Sequence, residues 1–263
     1  MLNSPGKFTF IEATRPREGV LLLRLNRPEK RNALNAALLA ELAEALSCAE
    51  QSADIRCVVL TGSDSVFSAG ADISEMREHG FAAIDNAGRR HSWASIEQTR
   101  LPLVAAIRGT CFGGGHELAL LADVVIAADD ARFGQPEIKL GILPGDGATQ
   151  RLTSLVGKYL AMKMILTGDP ISAEEAFRAG LVAELVPGER CVDRALDLAE
   201  TIARHSPVAL RLAKDAVLAS YETFLQEGLR TERRNIAHAF LTEDQKEGMA
   251  AFFEKRPPEF KGR

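Results

Sequence analysis

The sequence contains few cysteines, and their spacing excludes the common cysteine motifs. Cys48, Cys57, Cys111 and Cys191 are the four cysteines among 263 residues, and no two of them are spaced as C-x-x-C. That spacing is typical of structural zinc sites and of redox-active pairs. Most of these cysteines lie in apolar runs, so we expect buried, reduced thiols of a cytoplasmic protein, with no disulfide and no metal.

The sequence also lacks a long hydrophobic run. The longest apolar stretches, residues 20–25 and 118–128, are interrupted by Arg24 and Asp123. A membrane-spanning helix needs about 20 apolar residues in succession, so we expect no membrane span. The first ten residues hold polar residues, a proline and a glycine instead of an apolar core, which argues against a secretory signal.

Neither sign of charge dominates the composition. Lysine and arginine together number 32, aspartate and glutamate number 36, and the net charge is −4. Proteins that bind nucleic acid through its phosphates are usually basic, so we expect no nucleic-acid partner. A hydrophobic share of 46% and a charged share of 26% are ordinary for a globular protein. The length fits one large domain, or one domain with a smaller appendage.

Short apolar runs alternate with amphipathic ones in the first two thirds of the chain. Runs rich in valine and leucine predict strands, and leucines that recur every three to four residues predict a helix. The predicted strands are residues 20–26, 57–61, 103–107 and 123–127, and the predicted helices are residues 36–51 and 114–121. Strands that alternate with helices indicate an α/β fold.

The last third, about residues 190–263, carries the signals of several helices. Ser206-Pro207 is typical of a helix start, as are the spaced pairs Ser172 with Glu175 and Thr242 with Gln245. Apolar residues after Pro207 share one helical face: Leu210, Ala213, Val217, Tyr221 and Phe224. This face packs either on the rest of the chain or against another subunit, and the pattern does not choose between the two.

Three glycine-rich segments stand out, at residues 67–73, 109–118 and 133–145. In the second, Gly113, Gly114 and Gly115 lead into a predicted helix. Unpaired backbone N–H groups and the helix dipole favour an anion there, or an oxygen that becomes anionic during a reaction. The segment matches neither a Walker loop nor the G-x-G-x-x-G dinucleotide pattern. Taken alone, each segment is also consistent with an ordinary loop.

Two glutamates bring titratable groups to these segments. Glu117 lies within the first turn of the predicted helix, and Glu137 stands in the third segment. Two carboxylates can divide the roles of acid and base when their surroundings separate their pKa values. Taken alone, Glu137 would be an ordinary solvated charge. Together with backbone donors at Gly114, the pair favours chemistry on an activated carbonyl.

These motifs, in this order, resemble those of the crotonase, or enoyl-CoA hydratase/isomerase, superfamily. The resemblance extends over nearly the whole chain. It is carried by L-N-R-P at 25–28, R-N-A-L at 31–34, S-A-G-A-D at 68–72, G-G-G-H-E at 113–117, G-Q-P-E at 134–137, T-Q-R-L at 149–152 and the tail K-R-P-P-E-F-K-G-R at 255–263.

The resemblance implies a crotonase-like spiral of ββα turns over residues 1–190, which holds the acyl-CoA site. It also implies a C-terminal helical region over residues 191–263 that forms a homotrimer, or a homohexamer of two trimers. The substrate would be an acyl-CoA thioester, with no cofactor because coenzyme A belongs to the substrate. The thioester oxygen would lie between the backbone N–H groups of Ala71 and Gly114. Glu117 would activate the water that adds to a 2-enoyl double bond, and Glu137 would deliver the proton to C2.

The same resemblance implies further contacts to the coenzyme A moiety. The matching residues are Arg27, Arg31, Ala33, Ala69, Asp72, Ile73, Ser74 and Gly145, with Phe252 and Lys255 of a neighbouring subunit. In the family, the segment after the position of Asp72 forms the acyl pocket. Met76, Phe81 and Trp93 are therefore candidates for the pocket wall, or else plain helix-packing residues.

Two residues depart from the pattern of the close hydratases. His116 stands where they often have cysteine, and it either packs behind the site or tunes Glu117. Asp146 stands where they often have alanine, and it either brings a third carboxylate to the acyl pocket or caps the next helix. A narrower resemblance, at residues 20–23, 121–125, 203–207 and 260–263, is to hydratases of bacterial phenylacetate catabolism that act on 2,3-dehydroadipyl-CoA.

Other functions remain open at this point. An enoyl-CoA isomerase would move a double bond with Glu137 alone, and would then tolerate the substitution Glu117→Gln. A non-catalytic member of the family would bind RNA or protein, or would serve as a structural subunit. The acidic balance argues against RNA binding, and the presence of both glutamates argues against a subunit without activity.

Overall fold

A computed structural model describes residues 8–263 of the chain. Most of the segment examined for a secretory signal therefore lies outside the described residues. In the described part, the strands are β1 (Ile11–Arg17), β2 (Val20–Leu25), β3 (Cys57–Thr61), β4 (Val66–Ser68), β5 (Leu103–Ile107), β6 (Thr110–Phe112), β7 (Val124–Ala128), β8 (Arg132–Gly134), β9 (Ile171–Ser172) and β10 (Glu184–Val186). The helices are α1 (Ala36–Glu50), α2 (Ile73–His79), α3 (Phe81–Ile84), α4 (Ala87–Glu97), α5 (Gly114–Ala119), α6 (Ala148–Thr167), α7 (Ala173–Arg178), α8 (Cys191–Ala203), α9 (Pro207–Glu222), α10 (Leu225–Phe240) and α11 (Glu243–Glu254).

The strands form two sheets. The larger has the order β1-β2-β3-β5-β7-β10, with an antiparallel pair at β1–β2 and parallel pairs elsewhere. The smaller has the order β4-β6-β8-β9, and its β4–β6 and β6–β8 pairs are parallel. The prediction of an α/β fold is confirmed. The predicted strands match β2, β3, β5 and β7 to within one residue at each end.

Both faces of the larger sheet are covered. In β2, Leu21 and Leu23 face the main core with α1, whereas Val20 and Leu22 face a second core formed with α8. Strands covered on both faces read as continuous apolar runs, and every residue of β3 and β5 is buried. This burial explains why the bounds predicted for β3 and β5 agree with the structure at both ends.

The chain winds as a spiral in which each turn places one strand in each sheet. The pairs β3–β4, β5–β6 and β7–β8 each run from the larger sheet into the smaller one. Because β4, β6 and β8 are parallel neighbours, their C-terminal ends meet at one edge of the smaller sheet. Each of the three glycine-rich segments contains residues of one of these strands and the loop after it, so the topology brings the segments together.

The predicted helix starts are present. The side chains of Ser206 and Thr242 accept hydrogen bonds from Ala209 N at the start of α9 and from Gln245 N at the start of α11. Ser172 with Glu175 forms a capping box at α7. Helix α5 ends at Ala119, two residues before the predicted end.

The C-terminal helices divide into two groups. Helix α8 covers the larger sheet through its buried residues, whereas the predicted apolar face after Ser206 stays largely uncovered. Val217 is 65% exposed and Tyr221 is 53% exposed on α9. Phe224 lies beyond the end of that helix and is 93% exposed. The interpretation that these three side chains pack on the rest of the chain is therefore wrong, and their burial against another subunit stays a prediction.

The described cysteines that lie in the core are inert thiols. Cys57, Cys111 and Cys191 are buried and form no disulfide. Burial raises the pKa of Cys57 to about 12 and that of Cys191 to about 11.

No helix within residues 8–263 is long and apolar enough to cross a membrane.

Candidate active site

Two backbone N–H groups meet where the first two glycine-rich segments touch. A Cβ atom added at Gly114 would lie 3.4 Å from the backbone N of Ala71. The residues on either side of Ala71 both bond to Leu34. The carbonyl of Gly70 accepts a hydrogen bond from Leu34 N, and the N–H of Asp72 donates one to Leu34 O. Between these bonds, the N–H of Ala71 has no acceptor among residues 8–263, and neither has that of Gly114 at the start of α5. The predicted pair of donors is thus adjacent, and neither N–H is bonded within the described part of the chain.

Glycine is required at the two positions that precede these donors. Gly70 has φ +112° and Gly113 has φ +52°, conformations that other residues rarely adopt. A Cβ at Gly70 would lie 3.1 Å from Phe112 O, and one at Gly113 would lie 2.8 Å from Glu137 Oε1. The second distance also places the Glu137 carboxylate directly against the donor segment.

Glu117 is held in a fixed position on α5. Its side chain is buried, and Oε1 accepts hydrogen bonds from the backbone N of Asp146 at 2.8 Å and of Ala148 at 3.0 Å. Burial raises the pKa of Glu117 to about 7, against the opposing effect of these bonds, and the charges of Asp146 and Glu137 raise it further. A carboxylate with such a pKa is suited to exchange protons near neutral pH.

Glu137 lies in a short 3-10 helix, Pro136–Leu140, after β8. The Gln135 side chain is fully buried, and its amide nitrogen donates to both carboxylate oxygens of Glu137 at 3.1 Å. Burial raises the pKa of Glu137, and the Asp146 charge acts in the same direction. Both carboxyl groups at the site therefore keep a proton more readily than an exposed glutamate.

His116 lies behind Glu137, as the packing interpretation predicted. Its Nδ1 lies 3.2 Å from the Gln135 side-chain oxygen, and its ring packs against Phe133 with 5.5 Å between centroids. Burial lowers the pKa of His116 to about 4, so the imidazole is neutral at pH 7. A neutral imidazole argues against the interpretation that His116 tunes Glu117 by titrating near neutrality.

Asp146 brings a third carboxylate to the site and does not cap a helix. The cap residue of α6 is Gly147, and the Asp146 side chain makes no hydrogen bond to the start of this helix. The Asp146 carboxylate instead pairs with Arg89 of α4, with 2.9 Å between Oδ1 and Nη1. Both side chains are largely buried. Of the two interpretations of Asp146, the structure supports the carboxylate near the acyl pocket.

The charged residues predicted for coenzyme A divide into a paired set and an exposed one. Arg27 Nη1 lies 2.8 Å from Asp72 Oδ2 and donates to Ala33 O at 2.9 Å. Asp72 also accepts from Ser74 N at the start of α2. Arg27 and Asp72 thus hold two loops together, and their contact with coenzyme A stays a prediction.

Arg31 is exposed and lies beside a cavity. Its backbone is left-handed, with φ +52°, and its side chain donates to Thr110 Oγ1. The cavity measures about 490 Å³ and is lined by Pro28, Arg31, Asn32, Ser63, Ser65 and Val66. A cationic side chain beside this cavity is suited to a phosphate group.

The remaining predicted residues are spread around these loops and the C-terminal region. Ala33 and Ala69 are half-buried, and Ile73, Ser74 and Gly145 are exposed. Phe252 on α11 and Lys255 just after it are exposed too, and their approach to a neighbouring subunit's ligand stays a prediction. Of the candidates for the pocket wall, Trp93 is buried, Met76 is half-buried and Phe81 is exposed.

Two site residues were missed by the sequence analysis. Gln135 stands inside the G-Q-P-E motif, beside Glu137, so its amide could have been considered as a partner. Arg89 carries no such signal, because it precedes its partner Asp146 by 57 residues.

Within residues 8–263, no group of three histidine, cysteine, aspartate or glutamate side chains is arranged to hold a metal ion.

Comparison with known proteins assigns this site to a family. The family model described as enoyl-CoA hydratase/isomerase matches residues 15–263. The chain belongs to the enoyl-CoA hydratase/isomerase family. It is 50% identical over 244 residues to the 2,3-dehydroadipyl-CoA hydratase of Escherichia coli, which covers 93% of this chain and 96% of that protein. It is 45% identical over 240 residues to the mitochondrial enoyl-CoA hydratase of Pongo abelii, which covers 91% and 83%.

Solved structures of the family share this fold. The crystal structure of an enoyl-CoA hydratase from Bacillus anthracis superposes with a TM-score of 0.93 at 38% identity, over 97% of this chain and 100% of that one. The predicted crotonase-like fold is confirmed. The prediction of an enzyme of the enoyl-CoA hydratase type is confirmed as well.

Proposed function

We propose that Glu117 and Glu137 add water across the trans-2,3 double bond of a 2-enoyl-CoA thioester to give a 3-hydroxyacyl-CoA. The observation that carries this proposal is the junction of the three glycine-rich segments. There, two unpaired backbone N–H groups adjoin one buried and one half-buried carboxyl group, both with raised pKa values.

The unpaired N–H groups of Ala71 and Gly114 would bind the thioester oxygen. Two donors polarise the carbonyl and make C3 of the conjugated system electrophilic. When water adds at C3, negative charge develops on the same oxygen, and fixed donors stabilise it without reorganisation. Removal of one donor of this kind typically costs about 3–4 kcal/mol of transition-state stabilisation.

The two glutamates would divide the proton transfers. Ionised Glu117 accepts a proton from water as the water oxygen bonds to C3. Protonated Glu137 gives its proton to C2 as the enolate collapses. One water molecule is consumed and no group leaves, so the reaction balances without a cofactor. The raised pKa values of both carboxyls support this division, because each group must change its protonation state near neutral pH.

The acyl chain that we propose ends in a carboxylate, as in 2,3-dehydroadipyl-CoA. The 50% identity to the E. coli hydratase named for that substrate supports this chain, and so does the cationic Arg89 beside Asp146. The coenzyme A moiety would follow Arg31 and the cavity that it lines. A role in phenylacetate catabolism in the cytoplasm would accord with that substrate.

A homotrimer, or a hexamer of two trimers, is proposed as the working assembly. Large apolar side chains of α9 to α11 are exposed in the single chain, which supports burial against other subunits. They are Val217, Leu218, Tyr221, Phe224, Leu225, Ile236, Phe240, Leu241, Met249, Phe252 and Phe253. The proposed division is therefore a spiral core over residues 1–190 and an oligomerisation region over residues 191–263, although α8 in the latter also covers the larger sheet.

The reaction is tested by following the atoms of water. Purified protein is mixed with 2,3-dehydroadipyl-CoA in water enriched in ¹⁸O, and the product is analysed by mass spectrometry. Hydration predicts loss of the conjugated absorbance and one ¹⁸O atom at C3 of an intact thioester. A product of unchanged mass would indicate isomerisation, and release of free coenzyme A would indicate hydrolysis. Either result contradicts the proposal.

A further inference from the structure

The ion pair between Arg89 and Asp146 lies beside the reacting groups. The backbone N of Asp146 donates to Glu117 Oε1 at 2.8 Å, and the Asp146 charge raises the pKa of both Glu117 and Glu137. The Arg89 and Asp146 side chains are only 13% and 14% exposed. Few arginines are buried this far without a role for their charge.

Hydrogen-bond donors exceed acceptors at this place. The guanidinium of Arg89 lies over the ring of Trp93, 5.8 Å from its centroid. The indole Nε1 of Trp93 is buried, and it has no hydrogen-bond partner among residues 8–263. The guanidinium of Arg89 has five N–H groups. Two of them, one on each Nη, donate to the Asp146 carboxylate. The Asp146 carboxylate accepts both, which leaves the indole N–H and further guanidinium N–H groups for a ligand oxygen.

A second arginine also joins the elements that the pair connects. Arg151 already joins the same elements, since it donates to Asp146 O and pairs with Glu97 at the end of α4. A buried ion pair is also a weak source of stability compared with apolar packing. An unpartnered buried N–H is costly unless a ligand satisfies it.

We propose that Arg89 and Trp93 recognise a carboxylate at the distal end of the acyl chain, and that Asp146 holds Arg89 in place for this purpose. The inference rests on the proposed function, because it takes the acyl chain to extend from the glutamates towards α4. It assigns the choice between dicarboxylic and plain acyl chains to three residues. Arg89 supplies the charge, Trp93 a directed N–H, and Asp146 the orientation.

The single tryptophan of the chain allows a binding test that needs no catalysis. Adipyl-CoA and hexanoyl-CoA have saturated acyl chains of equal length, cannot be hydrated, and differ only in the distal carboxylate. Each is titrated into the wild-type protein while the fluorescence of Trp93 is recorded. A hydrogen bond to a charged group predicts that adipyl-CoA binds about tenfold or more tightly than hexanoyl-CoA.

The variant that tests the assignment is Arg89→Gln/Asp146→Asn. It removes both charges together and so leaves no unpaired buried carboxylate beside Glu117. We expect its preference for adipyl-CoA to fall below about threefold, because a neutral amide replaces the guanidinium. The matched control is Arg90→Gln. Arg90 neighbours Arg89 on α4 but is exposed and pairs with Asp85, so this variant should keep the wild-type preference.

A kinetic comparison gives the second measurement. Trp93→Phe keeps an aromatic ring, although a smaller one, and removes the N–H, so the ratio of kcat/KM for 2,3-dehydroadipyl-CoA over trans-2-hexenoyl-CoA should fall. Circular dichroism of each variant checks its folding. Equal binding of adipyl-CoA and hexanoyl-CoA by the wild type would overturn the proposal. A preference that survives in the doubly substituted protein would overturn it as well. Selective binding without hydration of the enoyl substrates would instead contradict the proposed function and leave the recognition site standing.

Discussion

Replacement of Glu117 by glutamine should stabilise the protein at alkaline pH. The side chain is 2% exposed, and burial raises its pKa from 4.5 to about 7. The folded protein thus binds this proton more tightly than the unfolded chain. The resulting stabilisation is complete below about pH 4.5 and is lost as the pH rises towards 7. Above pH 7, the ionised carboxylate weakens the folded state by the full amount.

The size of the effect follows from the pKa shift. One pKa unit corresponds to about 1.4 kcal/mol, so ionised Glu117 costs about 3 kcal/mol at pH 8 and about 1 kcal/mol at pH 5. Glutamine has nearly the same shape, and its Oε1 can accept the same N–H groups of Asp146 and Ala148. Glutamine carries no charge at any pH. The substitution therefore removes the free-energy cost of an ionised side chain in the folded protein, and it also removes the catalytic base.

Urea unfolding measures this difference. Wild type and Glu117→Gln are unfolded at pH 5 and pH 8 at one protein concentration, since the stability of an oligomer depends on concentration. The variant should gain about 2–3 kcal/mol at pH 8 and about 1 kcal/mol or less at pH 5. As a control, Glu12→Gln at an exposed glutamate of β1 should change the stability little at either pH. A variant less stable at pH 8, or a gain equal at both pH values, would refute the reasoning.

Three further predictions concern the same architecture. Gly113→Ala should lower kcat by about 10²-fold or more, because its Cβ would press on Glu137 at a positive φ; unchanged kinetics in a folded variant would contradict this. Since Glu117 must be ionised to act as base, kcat/KM should fall about tenfold per pH unit below about pH 7, and a profile flat to pH 5 would show otherwise. Asp244→Ala should destabilise the protein by about 2–4 kcal/mol in urea unfolding, because the buried carboxylate accepts from Ser206 Oγ and from the backbone of the C-terminal tail. A loss below about 0.5 kcal/mol would mean that this network does not hold the tail.

The parts of the fold that were predictable are those with a strong local signal. β3 and β5 are covered on both faces, so their sequences are unbroken apolar runs. Capping residues such as Ser172 and Ser206 mark the helix starts directly. The smaller sheet has no such signal, because its strands β4, β6 and β8 contain three residues each. Periodicity cannot be read from three residues.

The candidate site was predictable to the extent that its chemistry lies on glycine-rich segments. Gly114, Glu117 and Glu137 stand in motifs that can be read along the chain. The side chains that hold these groups cannot be read in this way, because their contacts depend on the packed fold. Arg89 and Asp146 are 57 residues apart in the sequence. They pair because the fold places α4 against the loop before α6, and no local pattern in the sequence indicates this contact. The same contact decided that Asp146 is not a helix cap.

The central claim is that both glutamates take part in the addition of water. It is tested most directly by the rate at which 2,3-dehydroadipyl-CoA loses its conjugated absorbance with wild type, Glu117→Gln and Glu137→Gln. Each substitution removes one proton transfer but keeps the shape of the side chain, so kcat should fall by about 10²–10⁴-fold in both variants. Circular dichroism establishes that both are folded. If Glu117→Gln kept activity within threefold of the wild type, Glu137 alone would carry the chemistry, and the two-carboxylate account would be contradicted.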